Sequence, residues 1–208
     1  AAVNAIQLPD YPDITNIIQN IATAAGAEPN LADAIALVNA AVPPRSIDLR
    51  YINLQINSAQ ACLLLSIIEI SRRGLTWAAS FGAGGVLFQT EKEVEHIFPQ
   101  KAQTGPGEAW GAWNAVNDDE IESYKNRLGN LTLLGDVQNR SLGRKSFVDK
   151  QTEPDNGYDA NAAAVGGGEW QLLNELRSAV QVDWLKADID TRTETMLAEL
   201  FAIYDPAP

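Results

Sequence analysis

Histidine, cysteine and methionine each occur once in the 208 residues, and basic side chains are the minority, 15 Lys and Arg against 27 Asp and Glu. One cysteine, Cys62, excludes an internal disulfide and any zinc site built on several thiolates; it stands in an apolar run and reads as core packing. That run, Ala61 to Ile70, is broken by Ser66 and Glu69 and falls well short of the roughly 20 residues a membrane helix needs. The first residues, Ala1 to Pro9, have no basic start followed by an apolar stretch. They do not read as a secretory signal, and a cytoplasmic setting is the expectation. Because the only methionine is Met196, the chain reads as a piece of a longer protein. The glycines of Phe81-Gly-Ala-Gly-Gly85 are not followed by Gly-Lys-Ser/Thr, so they read as a plain loop and not as a phosphate loop.

What is present is enough for a sizeable core, since 46% of residues are hydrophobic. The net charge of −12 runs against binding to phosphates, but the charge is unevenly spread. From Gln151 onward three basic residues stand against eleven acidic ones, whereas Lys125 to Lys150 holds six basic residues and only Asp136 and Asp149. A basic island in an acidic chain implies local phosphate contact, with further affinity supplied elsewhere.

Helical periodicity is visible over 13–25, 30–42 and 58–73, the last closed by Gly74. Residues 91–99 alternate and then break at Pro99, as a strand does. Gln100 to Asp119, rich in Gly, Pro and Trp, reads as a long connection, and Leu128 to Leu134 as a second short strand entered through a glycine turn. A loop and helix are expected over 139–150, and helices over 170–180 and 184–204. The expected organisation is a helical region at 1–90, a core at 91–150 and helices at 151–208 packing on that core, all within an α+β chain.

The candidate chemistry lies in Val94-Glu-His-Ile-Phe-Pro-Gln100, Leu128-Gly-Asn-Leu-Thr-Leu-Leu134, Asn139 and Phe147-Val-Asp-Lys150. Hydrolysing a phosphodiester requires an activated water, a centre that stabilises charge on the phosphate, and groups that hold it in line. His96, with an ordinary pKa near about 6.5, suits proton abstraction near neutrality. Glu95 and Asn139 offer hard oxygen donors of the kind magnesium takes, and manganese is expected to substitute. Arg140, Arg144, Lys145 and Lys150 are candidate phosphate contacts. A regular strand would, however, point Glu95 and His96 to opposite faces, so the scheme requires the strand to twist or end there.

These phrases resemble the HNH, or ββα-metal, nuclease signature in an H-N-N form, His96, Asn130, Asn139. Within it they are similar to the C-terminal nuclease domain of GmrSD-type modification-dependent restriction enzymes. The resemblance extends to Arg192-Thr-Glu-Thr-Met-Leu197. It implies a general base at His96, an orienting role for Asn130, metal ligands at Glu95 and Asn139, and a phosphate contact at Lys150. It further implies DNA as substrate, an N-terminal nucleotide-hydrolysing domain in the full-length protein, and prokaryotic defence against phage or modified DNA.

Each residue also has a plainer reading: Asn130 after Gly129 suits a turn, Asn139 suits a helix cap, and Glu91 and Glu93 suit the solvated face of an edge strand. The tryptophans read as core rather than as base-stacking platforms. Two alternatives therefore stand beside the nuclease: a catalytically degenerate HNH fold that binds nucleic acid or protein, and a helical interaction domain.

Overall fold

The computed structural model describes residues 55–75, 92–162 and 170–204. The helices expected at 13–25 and 30–42, the glycine loop of 81–85 and the strand following it lie outside the described residues. What is described is α+β, mostly helical around one two-stranded sheet, as the sequence led us to expect.

Helix α1, Ser58–Arg72, begins at a capping box: Asn57 Oδ1 accepts from the Gln60 N–H at 2.9 Å, and Gln60 Oε1 accepts from the Asn57 N–H at 3.0 Å. Two otherwise orphaned donors are satisfied reciprocally. Gly74, with φ of 61°, follows its end and supplies the left-handed turn that side-chain-bearing residues resist. Ala61, Leu65 and Ile68 are fully buried on the inward face, and α1 packs on both strands of the sheet.

Strand β1, Lys92–His96, pairs antiparallel with β2, Leu131–Gly135, in a register that sets His96 opposite Leu131, Glu95 opposite Thr132 and Glu93 opposite Leu134. Leu131, Thr132, Leu133 and Leu134 are all buried. A strand covered on both faces reads as a nearly continuous apolar run instead of an alternating one, which is how this stretch appears in the sequence. A 3-10 turn, Leu128–Asn130, leads into β2.

Between the strands lies a helix that periodicity does not announce. Asn117 caps α2, Asp118–Lys125, its side chain accepting from the Glu120 N–H; three acidic residues fill the first turn and Lys125 the last. That charge order complements the helix dipole. After β2 come α3, Asp136–Leu142, α4, Phe147–Thr152, and α5, Tyr158–Ala162. Two C-terminal helices follow, α6, Gln171–Arg177, and α7, Lys186–Tyr204. Among the described residues no helix is long and apolar enough to cross a membrane.

Long-range polar contacts lock these helices to α1. The Glu69 carboxylate caps α6, accepting from the N–H groups of Gln171 and Leu172 at 2.9 Å each. Arg72 bonds Glu175 of α6 at 2.8 Å and Glu199 of α7 at 2.9 Å. Phe98 stacks on Trp113 with ring centres 4.2 Å apart and meets Trp110 edge-on at 5.2 Å. Trp110, Trp113, Trp170 and Trp184 are all buried.

Candidate active site

His96 is the last residue of β1, and the backbone beyond it is held by one amide. Asn130 is fully buried. Its Oδ1 accepts from the Phe98 N–H at 2.8 Å, and its Nδ2 donates to the Phe98 carbonyl and to the Lys125 carbonyl, each at 2.9 Å. The Asn130 carbonyl also accepts from the Ile97 N–H at 2.9 Å. The exit of β1 and the end of α2 are thus clasped together. The clasp is supported from behind by α7: the Gly129 N–H donates to Thr193 Oγ1 at 3.0 Å, and Arg192 Nη1 donates to the carbonyls of Gly129 and Leu131 at 2.9 and 2.7 Å. A Cβ on residue 129 would collide with the Ile189 carbonyl, so only glycine permits this approach.

The imidazole of His96 is half-buried. Its Nε2 lies 3.0 Å from Asn126 Oδ1 and 3.2 Å from Gln100 Nε2. Burial holds its pKa below the ordinary histidine value; the Asn126 bond opposes this, and the positive charges of Lys150 and Lys125 add to the lowering. A ring kept neutral near pH 7 can accept a proton.

Glu95 takes the other direction. Its carboxylate is buried, with Oε1 2.5 Å from Lys150 Nζ and 3.4 Å from the Tyr158 hydroxyl. The strand stays regular through His96, so neighbouring side chains alternate faces, and Glu95 and His96 meet separate sets of partners. Burial pushes the Glu95 carboxyl up, against the attraction of Lys150, and pushes the Lys150 ammonium down, against that of Glu95. Burial likewise raises Tyr158 well above the ordinary phenol value, keeping its O–H as a donor.

Lys150, expected as a phosphate contact, is fully enclosed, and its ammonium is spent on Glu95 and on the His96 carbonyl at 2.8 Å. A lysine so placed faces no solvent-borne phosphate. Arg140 and Arg144 are exposed; Arg140 pairs with Asp136 one turn earlier, and the Arg144 carbonyl accepts from Trp110 Nε1 at 3.3 Å. Lys145 pairs with Glu153 at 2.5 Å.

Asn139 sits on α3, where its Nδ2 donates to Glu93 Oε2 at 3.0 Å and to the Val94 carbonyl at 3.4 Å. Glu93, read from the sequence as a solvated edge residue, is exposed yet is the partner of Asn139. The donor types at Glu95 and Asn139 suit a hard divalent ion. As arranged, however, Oε1 of Glu95 holds Lys150, Asn139 turns its NH2 to Glu93, and among the described residues no three acidic, histidine or cysteine side chains gather to hold a metal. This arrangement is not a ready cation site, and Glu95 would have to exchange Lys150 to become a ligand.

Sequence reasoning missed Asn126 and Tyr158. Gln100 ends the quoted Glu-His-Ile-x-Pro-Gln phrase and was visible there; Asn126 lies outside every periodic or motif-bearing segment and carried no signal.

The assembly is an α+β domain in which the end of β1, the 3-10 turn leading into β2 and the helix after β2 carry His96, Asn130 and Asn139 in turn. The family described as GmrSD restriction endonucleases, C-terminal domain, matches residues 56–199. The chain belongs to that family, and is a nuclease domain of the restriction-endonuclease type. Comparison with curated proteins gives no match.

Proposed function

We propose that this chain hydrolyses phosphodiester bonds of DNA at an HNH-type, ββα-metal site with His96 as general base. The observation that carries this reading is the Asn130 clasp: a buried amide holds the turn after His96 through both the Phe98 N–H and the Phe98 carbonyl. Rigid support of that kind is what positions a catalytic group. In the reaction, His96 removes a proton from water and the water oxygen forms a bond to phosphorus. The bond from phosphorus to the departing sugar oxygen breaks, and that oxygen takes a proton from solvent.

Magnesium, with manganese substituting, is the proposed ion, and it supplies charge stabilisation at the phosphate. Glu95 and Asn139 are its proposed ligands, which requires Glu95 both to release Lys150 and to turn to the face of His96. Arg140 and Arg144, with Lys145, are the proposed phosphate contacts. On this reading the full-length protein carries an N-terminal nucleotide-hydrolysing domain and works in the cytoplasm of a prokaryote against phage or modified DNA.

The Glu95–Lys150 pair favours a second reading, a degenerate nuclease fold that binds nucleic acid or protein without cutting it. Incubating plasmid with the chain at low salt, with magnesium or manganese and with EDTA as control, separates the two. Cleavage that EDTA abolishes supports the nuclease. DNA retention without cleavage, repeated with the full-length protein, supports the binding module.

A further inference from the structure

Among the described residues, two side-chain contacts of the His96 ring converge on one nitrogen. Nε2 faces Asn126 Oδ1 at 3.0 Å and Gln100 Nε2 at 3.2 Å. An amide oxygen only accepts and an amide NH2 only donates, while a neutral imidazole carries its single N–H on one nitrogen. The two contacts therefore call for opposite tautomers, and the better-held partner decides between them.

Asn126 is that partner. Its contact is the shorter and is partly buried, whereas Gln100 is exposed and its amide can turn to water. Asn126 is also fixed along its backbone: its carbonyl accepts from the Ile56 N–H at 3.1 Å, just ahead of α1. The preceding carbonyl, that of Lys125, accepts from Asn130 Nδ2 at 2.9 Å, the same amide that grips Phe98 beyond His96. The clasp therefore sets the separation between the strand end bearing His96 and the turn bearing Asn126. Asn130 is thus placed to act on the ring through Asn126, without touching it.

We propose that Asn126 is the positioning residue for His96: its Oδ1 accepts the Nε2 proton, so that the neutral ring offers Nδ1 to the attacking water. Fixing a tautomer through the far ring nitrogen is how polar neighbours direct imidazoles in catalytic sites. The catalytic half of this inference rests on the reading of His96 as general base; the tautomer itself does not.

His96 is the only histidine in the chain, so the full chain labelled with nitrogen-15 in its imidazole gives one pair of ring signals. Recorded without metal, at a pH well above about 6.5, the spectrum is expected to show a protonated, pyrrole-type Nε2 and an unprotonated, pyridine-type Nδ1. Asn126→Ala is expected to average the two signals and to lower kcat by about 10- to 100-fold. Asn126→Asp, which keeps the acceptor, restores both the tautomer and most of the rate. A ring protonated at Nδ1 in the unaltered chain overturns the proposal, and that result needs no variant to fold. So does a tautomer that is insensitive to Asn126→Ala but shifts with Gln100→Ala. The ring signals can be read whether or not the chain cuts DNA; cleavage that persists in His96→Ala would overturn the general-base reading and leave the tautomer standing.

Discussion

Lys150 Nζ lies 2.5 Å from Glu95 Oε1, and neither side chain reaches solvent appreciably. The pair joins β1 to α4 across 55 residues of sequence, and the same ammonium bonds the His96 carbonyl. Removing one member of a buried ion pair strands the other, at a cost of about 3–5 kcal/mol. Lys150→Met should therefore lower the unfolding midpoint sharply in urea. If Lys150 were instead a phosphate contact, the variant would keep its stability, bind DNA more weakly and lose about one from its salt slope.

Asn130→Ala should be costly in a different way. It leaves the Phe98 N–H and the carbonyls of Phe98 and Lys125 without their partner, and each buried orphan costs about 1–3 kcal/mol. We expect a loss of about 3 kcal/mol, with cleavage falling further than the loss of folded protein explains. Calorimetry and single-turnover cleavage measured on one preparation check this. A variant as stable as the original would show that the clasp is not holding the β1 exit.

The lowered pKa of His96 has two consequences with the same sign. Burial, the largest cause, disfavours the charged ring, so the unfolded chain takes up this proton at a higher pH than the folded one. Below about 6.5, the ordinary value, the unfolded state binds more protons, and stability falls as pH falls toward the folded pKa. In a cleavage assay the acid limb of kcat/KM should likewise lie below about 6.5. An acid limb above that value would contradict the burial described for the ring.

Arg140 and Arg144 are exposed, and their loss should leave stability unchanged while weakening DNA binding. Replacing both with alanine is expected to reduce the slope of log K against log salt by about 0.9 for each phosphate the two arginines neutralise. Arg144 should account for more of this change than Arg140, which is paired with Asp136, and Lys145→Ala should likewise do less, because Lys145 is paired with Glu153. A salt titration by fluorescence anisotropy separates these outcomes, and an unchanged slope in the double variant would remove this surface from the DNA interface.

Much of this was legible in the sequence because it is local. The 2-residue alternation of β1, the apolar run of β2 and the Gly74 stop of α1 are short-range patterns, and their elements appear where those patterns lie. The warning that Glu95 and His96 would face apart was likewise a matter of strand geometry, and their partners differ accordingly. What escaped depends on distant pairings. Nothing near Lys150 says that its ammonium turns inward to a residue on β1, and nothing near Asn126 says that its amide meets the imidazole. Helix α2 was missed because only Ile121 and Tyr124 are buried in it, too few for an apolar stripe to show. Its signals were the Asn117 cap and the acidic first turn.

If His96 takes the proton from the attacking water, this chain and His96→Ala must differ on supercoiled plasmid. Both proteins would be checked for equal unfolding midpoints and assayed with magnesium or manganese and with EDTA. Metal-dependent nicking or linearisation is expected from the unaltered chain, with a loss of at least about 100-fold in the variant, the lower range for a general base. Equal cleavage by the two proteins would contradict it.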